Sequence, residues 1–249
     1  MSVWKKYLEA EISYLREIEK TQGNQIMEAA KLCAKTTMND GIIRVFGVGH
    51  SHLIADDVFY RSATLGNVQA ILEETTTGNS EITKSGSVEK IEGYAEIIFN
   101  YHRIQKEDVV IAISNSGNNQ VSLEFARYAR SQNIPVIVLT NTEYSDYLNA
   151  RHSSGTRLKD HGDVVISNCT PIGDAAIEMP GLPMRVGSTS SIPFIFLINA
   201  ILAEAVAICL ENDFVPDVYY NGSLRANNPA IGDHNFAIID KYFYRMKNL

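Results

Sequence analysis

Five short apolar runs constrain this chain more than any other feature: "IIRVFGV" (42–48), "VQAILEE" (68–74), "DVVIAIS" (108–114), "IPVIVLT" (134–140) and "DVVISN" (163–168). Each is rich in Val and Ile with little polar alternation, the pattern of a strand covered on both faces. Between them, apolar residues recur at helical spacing over 52–63, 88–101 and 120–131. Strand and helix alternating in this way predict a doubly wound, parallel α/β sheet.

The flanks read as helix. From Trp4 to about Lys35, Leu8, Ile12, Leu15, Ile18, Ile26, Ala29, Ala30 and Cys33 keep one face apolar, in one long helix or two joined near Gly23. Two further helices are expected at 188–211 and 236–247. The run from Ile192 to Leu210 approaches membrane-spanning length, but Pro193, Asn199 and Glu204 interrupt it. It is therefore read as a buried helix, with no membrane partner, and Glu204 as a buried acid with an Arg or Tyr partner or as a residue at a subunit contact. No repeat or linker divides the 249 residues. One domain over 39–212 is expected, with a helical N-terminal extension (1–38) and a C-terminal segment (213–249) that completes the domain or makes a subunit contact.

Charge and cysteine usage exclude whole classes of function. With 22 basic and 29 acidic residues the net charge is -7, and no Lys/Arg run forms a phosphate-tracking stripe, so nucleic acid is not an expected partner. Cys33, Cys169 and Cys209 lack metal or disulfide spacing, and the N-terminus "MSVWKKYLEAEISYLREIEK" has no apolar signal core. A reducing cytoplasm fits these facts.

In a doubly wound sheet, ligands gather where the strands end. The four ends that can be located carry "GVGHS" (47–51), "EETTTGNS" (73–80), "SNSGNN" (114–119) and "TNTEYS" (140–145). Hydroxyl, amide and glycine groups dominate over charge, which suits a phosphate cradled by backbone N–H groups and hydroxyls. A dinucleotide fingerprint would need a third glycine where His52 stands, and no Gly-Lys-Ser/Thr occurs, so no nucleotide cofactor is expected. No histidine pair has metal-ligand spacing, and no metal is expected either.

"AISNSGNNQVSLEFARYA" (112–129) sets Ser114, Ser116 and Asn119 around a glycine and runs directly into a helix. A helix cap alone would need one such residue, not the cluster. The stretch resembles the sugar isomerase (SIS) domains, a phosphosugar-binding family of flavodoxin-like fold, over roughly residues 35–212. In that family a serine, a second serine two residues on and a Thr or Asn three further cradle the sugar phosphate, and the first loop adds one more serine; Ser51 occupies that place. More narrowly, the chain resembles a bacterial group related to phosphoheptose isomerases and N-acetylmuramic acid 6-phosphate etherases. The resemblance implies phosphate binding by Ser51, Ser114, Ser116 and Asn119. Gly49, Asn115 and Gly117 in the same loops, and Ser188 and Thr189 in "GSTSSIP", are candidates for further substrate contacts.

Isomerisation of an aldose, or elimination beside a carbonyl, starts with removal of a proton alpha to that carbonyl, a task for a carboxylate or histidine. In the relatives named above, a glutamate ten residues past the first-loop serine is the base; here that position is Arg61. The replacements are Glu74, favoured for its place beside "TTTGNS", and Glu73, only one of which can face a given ligand. His234 and His50 are candidate proton donors, and His52 is assigned to the helix surface. The expected function is an isomerase or carbon–oxygen lyase on hexose or amino-sugar 6-phosphates such as N-acetylglucosamine 6-phosphate. The opposing reading is a non-catalytic phosphosugar sensor. Surplus apolar helix surface predicts a homodimer or homotetramer.

Overall fold

Residues 1–78 and 81–249 are described by the structure, a computed structural model. Two helices, α1 (Val3–Thr21) and α2 (Gly23–Met38), precede the first strand, β1 (Ile43–Gly47). Then follow α3 (His52–Val58), β2 (Val68–Ile71), three short helices α4 (Glu74–Thr77), α5 (Ile82–Val88) and α6 (Tyr94–Tyr101), and β3 (Val109–Ser114). The remainder is α7 (Gln120–Ser131), β4 (Val136–Thr140), α8 (Thr142–Tyr147), β5 (Val164–Ser167), α9 (Ser191–Glu211) and α10 (Ala230–Tyr242).

The five strands form one parallel sheet in the order β2-β1-β3-β4-β5. The lack of polar alternation in the strands now has a direct cause. Ile43 and Val45 of β1, Ile111 and Ile113 of β3, and Ile137 and Leu139 of β4 share one core with α2 and α9. Their sequence neighbours Phe46, Val110, Ala112, Val136 and Val138 pack in a second core with α6 and α7. Successive side chains point to opposite faces, and both faces are dry.

Several boundaries move. The N-terminal pattern is two helices broken at Gln22, and the second packs so closely on α9 that Ala29, Ala30, Cys33 and Ala34 are fully buried. The expected helix over 88–101 starts only at Tyr94, because Gly93 turns the chain at φ +88°. The helix expected over 52–63 stops at Val58, and the last helix begins earlier than expected, at Ala230. By length and composition α9 could cross a membrane, but Phe194, Leu197, Ile198, Ile201 and Ala205 are core residues. Glu204 is exposed on it, not buried. Leu8 and Ile12 on α1 and Ile192, Ile195 and Phe196 on α9 are exposed as well.

Both sheet edges are capped by side-chain amides. Asn248 Nδ2 donates to the Ala70 carbonyl on β2 (2.9 Å), and Gln22 Oε1 accepts from the Ser167 N–H on β5 (2.9 Å). At the amino end of β1, Arg44 is buried against Asp108 (2.8 Å) and Gln69.

Candidate functional site

In the strand order 2-1-3-4-5 the chain reverses direction across the sheet between β1 and β3, which opens a crevice at their carboxyl ends. Because Gly47 pairs with Ile113, the loops after β1 and β3 leave the sheet side by side and flank that crevice. The two hydroxyl-rich loops singled out in the sequence are therefore neighbours.

Sequence dictates both turns. A Cβ on Gly47 would lie 2.7 Å from the carbonyl carbon and oxygen of Ser51, so only glycine lets the chain double back there. Gly49 then takes φ +53°, and the single 3₁₀ turn Gly49–Ser51 leads into α3. Gly117 takes φ +62°, and a Cβ added there would lie 2.7 Å from the Ser145 Oγ, so both the backbone and the space favour glycine. Its N–H donates to Ser114 O and its carbonyl accepts from Leu158 N, so the turn is pinned from two sides.

What these turns expose is a set of unspent donors. Among the described residues the hydroxyls of Ser51 and Ser114 make no hydrogen bond, and Ser116 Oγ only accepts one, from Asn118 N–H at 3.3 Å. Asn115 Oδ1 accepts from Asn168 Nδ2 (2.8 Å), which fixes the amide's orientation, and the buried Asn115 Nδ2 has no partner among the described residues. The backbone N–H groups of Ser116, Asn119 and Gln120 are likewise unpaired among the described residues. Hydroxyl, amide and N–H donors converging at a helix start can hold an oxyanion.

The Asn119 side chain has a structural partner. Its Oδ1 accepts from the N–H groups of Val121 (3.1 Å) and Ser122 (3.3 Å), so it caps α7. It shapes the cradle by taking the second and third amides and leaving the first to a ligand.

The carboxylates separate clearly. Glu73, just before α4, is half-buried; its Oε1 accepts from Thr75 Oγ1 (2.8 Å) and from the Tyr94 hydroxyl (3.1 Å). Burial raises the Tyr94 hydroxyl above its ordinary value. Glu74, at the first position of α4, is exposed. Of the two carboxylates the sequence offered, with Glu74 preferred, Glu73 is the one turned inward, because strand β2 ends two residues before it. Residues 79–80 of the same loop lie outside the described residues.

The histidines also part company. His50 is exposed at the rim. His52 is buried, with Nδ1 against the Gly49 carbonyl, and is not on the helix surface. His234 sits elsewhere: its Nε2 contacts the Val218 carbonyl at 2.9 Å and its ring stacks on Tyr220. Residues 217–219 pair with 63–66, which enter β2 from its amino end. Within one subunit His234 is therefore at the opposite end of the sheet from the crevice.

The hydroxyl-rich start of α9 is committed to structure. Asp174 Oδ1 accepts from Thr189 N–H, Thr189 Oγ1 and Ser190 N–H, and its Oδ2 accepts from Ser190 Oγ. Thr189 is buried by this cap, whereas Ser188 is exposed and its carbonyl accepts from the Tyr7 hydroxyl at 2.5 Å.

One polar cluster had no sequence signal. Glu124 on α7 meets His152, 28 residues on, at 3.2 Å, with Glu92 Oε2 3.9 Å from the same Nε2. These three could hold a cation by spacing. However, Ser154 N–H donates to His152 Nδ1 (3.0 Å), which leaves the proton on Nε2, aimed at Glu124. The cluster clamps the 150s loop onto α7, and Asn118 does the same through Asn149 O and Arg151 N.

Comparison with known proteins gives the family and the fold. A SIS domain family model matches residues 6–141. The UPF0309 protein lmo0025 of Listeria monocytogenes is 37% identical over 233 residues, 94% of each chain. The UPF0309 protein lin2794 of Listeria innocua is 33% identical over 240 residues, 96% of each. Among solved structures, the fold is similar to phosphoheptose isomerase GmhA from Neisseria gonorrhoeae (TM-score 0.51, 23% identity, 80% of this chain and 92% of that one). It is also similar to the Vibrio vulnificus NanR protein complexed with ManNAc-6P (TM-score 0.54, 16% identity, 99% and 71%).

Proposed function

Because the chain belongs to the SIS domain family, and within it to the UPF0309 proteins, we propose that the crevice between β1 and β3 binds a phosphorylated sugar and acts on it as an isomerase or carbon–oxygen lyase. The observation that carries this reading is the convergence of unspent donors at the crevice: the hydroxyls of Ser51, Ser114 and Ser116, Asn115 Nδ2, and the N–H groups that open α7. A phosphate dianion is the kind of acceptor that hydroxyl, amide and N–H donors of this sort suit.

The sugar then extends toward β2, and Glu73 removes the proton alpha to its carbonyl. Tyr94 and Thr75 hold the carboxylate in one orientation, so its second oxygen is left for the substrate. Hexose and amino-sugar 6-phosphates, N-acetylglucosamine 6-phosphate among them, are the substrates to test first. That choice is supported by NanR, the structural neighbour solved with ManNAc-6P. The three unpaired thiols support a cytoplasmic setting. The exposed apolar residues of α1 and α9 support assembly with a second copy. His234 enters this chemistry only if a neighbouring subunit brings it to the crevice.

A second reading, a sensor that binds the sugar without turnover, is favoured by one observation: Arg61 stands where related enzymes carry their base, and it is an exposed residue paired with Asp57 (2.7 Å). An NMR time course in deuterium oxide with a panel of sugar 6-phosphates separates the two. Deuterium at C2, or a new product, supports the enzyme. Saturable line broadening with neither supports the sensor.

A further inference from the structure

A second polar concavity of about 160 Å³ lies at the other end of the sheet, among Arg44, His102, Arg103, Tyr244, Arg245 and Lys247. Its charges do not cancel. Arg44 is neutralised by the buried Asp108, and Arg245 by Asp40 at 3.0 Å. Arg103 and Lys247 have no acidic partner among the described residues, and Lys247 rests over the Tyr101 ring at 4.9 Å. Two uncompensated cations therefore face one small pocket in a chain whose net charge is -7.

The buried wall points a donor into it. Arg44 can only donate, so its bond to Gln69 Oε1 fixes the Gln69 amide with Nε2 turned toward His102 Nδ1 (3.3 Å) and Asn248 Oδ1 (3.0 Å). His102 Nδ1 is then an acceptor, and the ring proton sits on Nε2. That Nε2 makes no hydrogen bond among the described residues although the residue is only 5% exposed and lines the pocket. Burial, with Arg44 close by, lowers the His102 pKa to about 4, so the ring keeps this neutral form at physiological pH. Arg103 follows directly at φ +52°, a left-handed conformation rare for arginine, which carries its side chain out of the helical path.

We propose that this pocket is an anion site, separate from the crevice, that takes a phosphate dianion: His102 Nε2–H donates from the buried wall while Arg103 and Lys247 supply the charge. Arg44 lies three residues before Gly47 on β1, so roughly 10 Å of that strand separates the pocket from the crevice, while on the β2 side Glu73 is near enough for its charge to act on His102, against Arg44 and Lys247. The chemistry recognised is that of a free phosphate ion or of the phosphate group of a small ester.

The test is calorimetric titration of the full chain with inorganic phosphate and, separately, with glycerol phosphate. The Ser116→Ala variant weakens the crevice, so the second site is read in that background. Phosphate should still bind there, and Arg103→Asn with Lys247→Ala should lower that affinity at least tenfold. Asparagine tolerates the left-handed backbone, and both residues are at the surface, so circular dichroism should report an unchanged fold. Binding of glycerol phosphate at the same site identifies an ester as the ligand class; binding of phosphate alone identifies the free ion. No phosphate binding in the Ser116→Ala background, or binding indifferent to the Arg103 and Lys247 changes, overturns the proposal. Sugar binding at the crevice of the Arg103/Lys247 variant is read independently, so neither assignment depends on the other.

Discussion

The Tyr94 hydroxyl sits 3.1 Å from Glu73 Oε1 and donates to it, across the turn that joins β2 to the helices behind it. A carboxylate anchored through one oxygen has a fixed direction for the other, whereas the neighbouring Glu74 projects from an exposed helix start. If Glu73 is the base, Glu73→Gln should lower kcat by ~10²–10⁴ while leaving sugar-phosphate affinity within a few-fold. Glu74→Gln should change neither by more than a few-fold. Tyr94→Phe should reduce kcat more than it raises KM, because it loosens the base and not the ligand. Steady-state kinetics on the sugar that exchanges deuterium, paired with calorimetry, measures all three.

The phosphate cradle makes a second expectation. Each serine lost removes a charge-assisted hydrogen bond, so Ser51→Ala and Ser116→Ala should each weaken phosphosugar binding by roughly tenfold or more. Thr189→Ala should leave that affinity unchanged, since its hydroxyl belongs to Asp174. Calorimetric titration distinguishes the two classes. Equal loss in all three variants would point to unfolding and would remove the assignment.

Gly117→Ala tests the turn itself. The left-handed backbone and the 2.7 Å that an added Cβ would leave to Ser145 Oγ act together, so a cost beyond the ~1–3 kcal/mol of a strained backbone alone is expected. Thermal unfolding would show a drop of many degrees. Gly49→Ala, whose added carbon meets no atom within 4 Å, bears only the backbone cost.

Asp174 holds both the hydroxyls and the amides at the start of α9. Asp174→Ala should cost ~1–2 kcal/mol, the range of a lost N-cap, and leave the crevice intact. Denaturant unfolding measures the first part and sugar binding the second.

Two buried groups give stability a pH dependence of opposite sign. His102, lowered to about 4 by burial, binds fewer protons folded than unfolded, so its contribution is fully present above about pH 6.5. It is lost as pH falls from there through about 4. Glu11 is raised to about 6 by burial, which outweighs the neighbouring Tyr7 hydroxyl. Its contribution is present below the unfolded value of 4.5 and lost as pH rises through 6. Glu11→Gln should therefore be nearly neutral at pH 4.5 and stabilising by ~1–2 kcal/mol at pH 8. Urea titrations at both values read the difference. A gain at pH 4.5 as large as that at pH 8 would contradict the assignment.

The sheet was legible because its chemistry is periodic. Five Val/Ile runs without alternation can only be strands with two covered faces, and the order of glycines and hydroxyls after the first and third located the crevice. The break between α1 and α2 was among the alternatives read near Gly23, but the late start of α6 was not legible, since Gly93 acts through a backbone angle that propensity does not express. The choice between Glu73 and Glu74 depended on where β2 stops, a matter of one residue. The position of His234 was not legible for a different reason: a polar stretch near the chain end says nothing about which end of the sheet it returns to. The Glu124–His152 contact joins residues 28 positions apart and is written in no local pattern. His52 reads as a surface helix residue and is buried by its own turn.

The amides of Asn248 and Gln22 at the two sheet margins bear on how copies of this chain can join. One occupies an outward carbonyl and the other an outward N–H, so an incoming strand from another molecule would have to displace a side chain at either margin before its ladder could form. Growth of a continuous sheet from molecule to molecule, the route to fibrous aggregates, is thereby obstructed on both sides. The exposed apolar residues of α1 and α9 meet no such obstruction, and contact through them would leave the strand ends open to solvent and ligand.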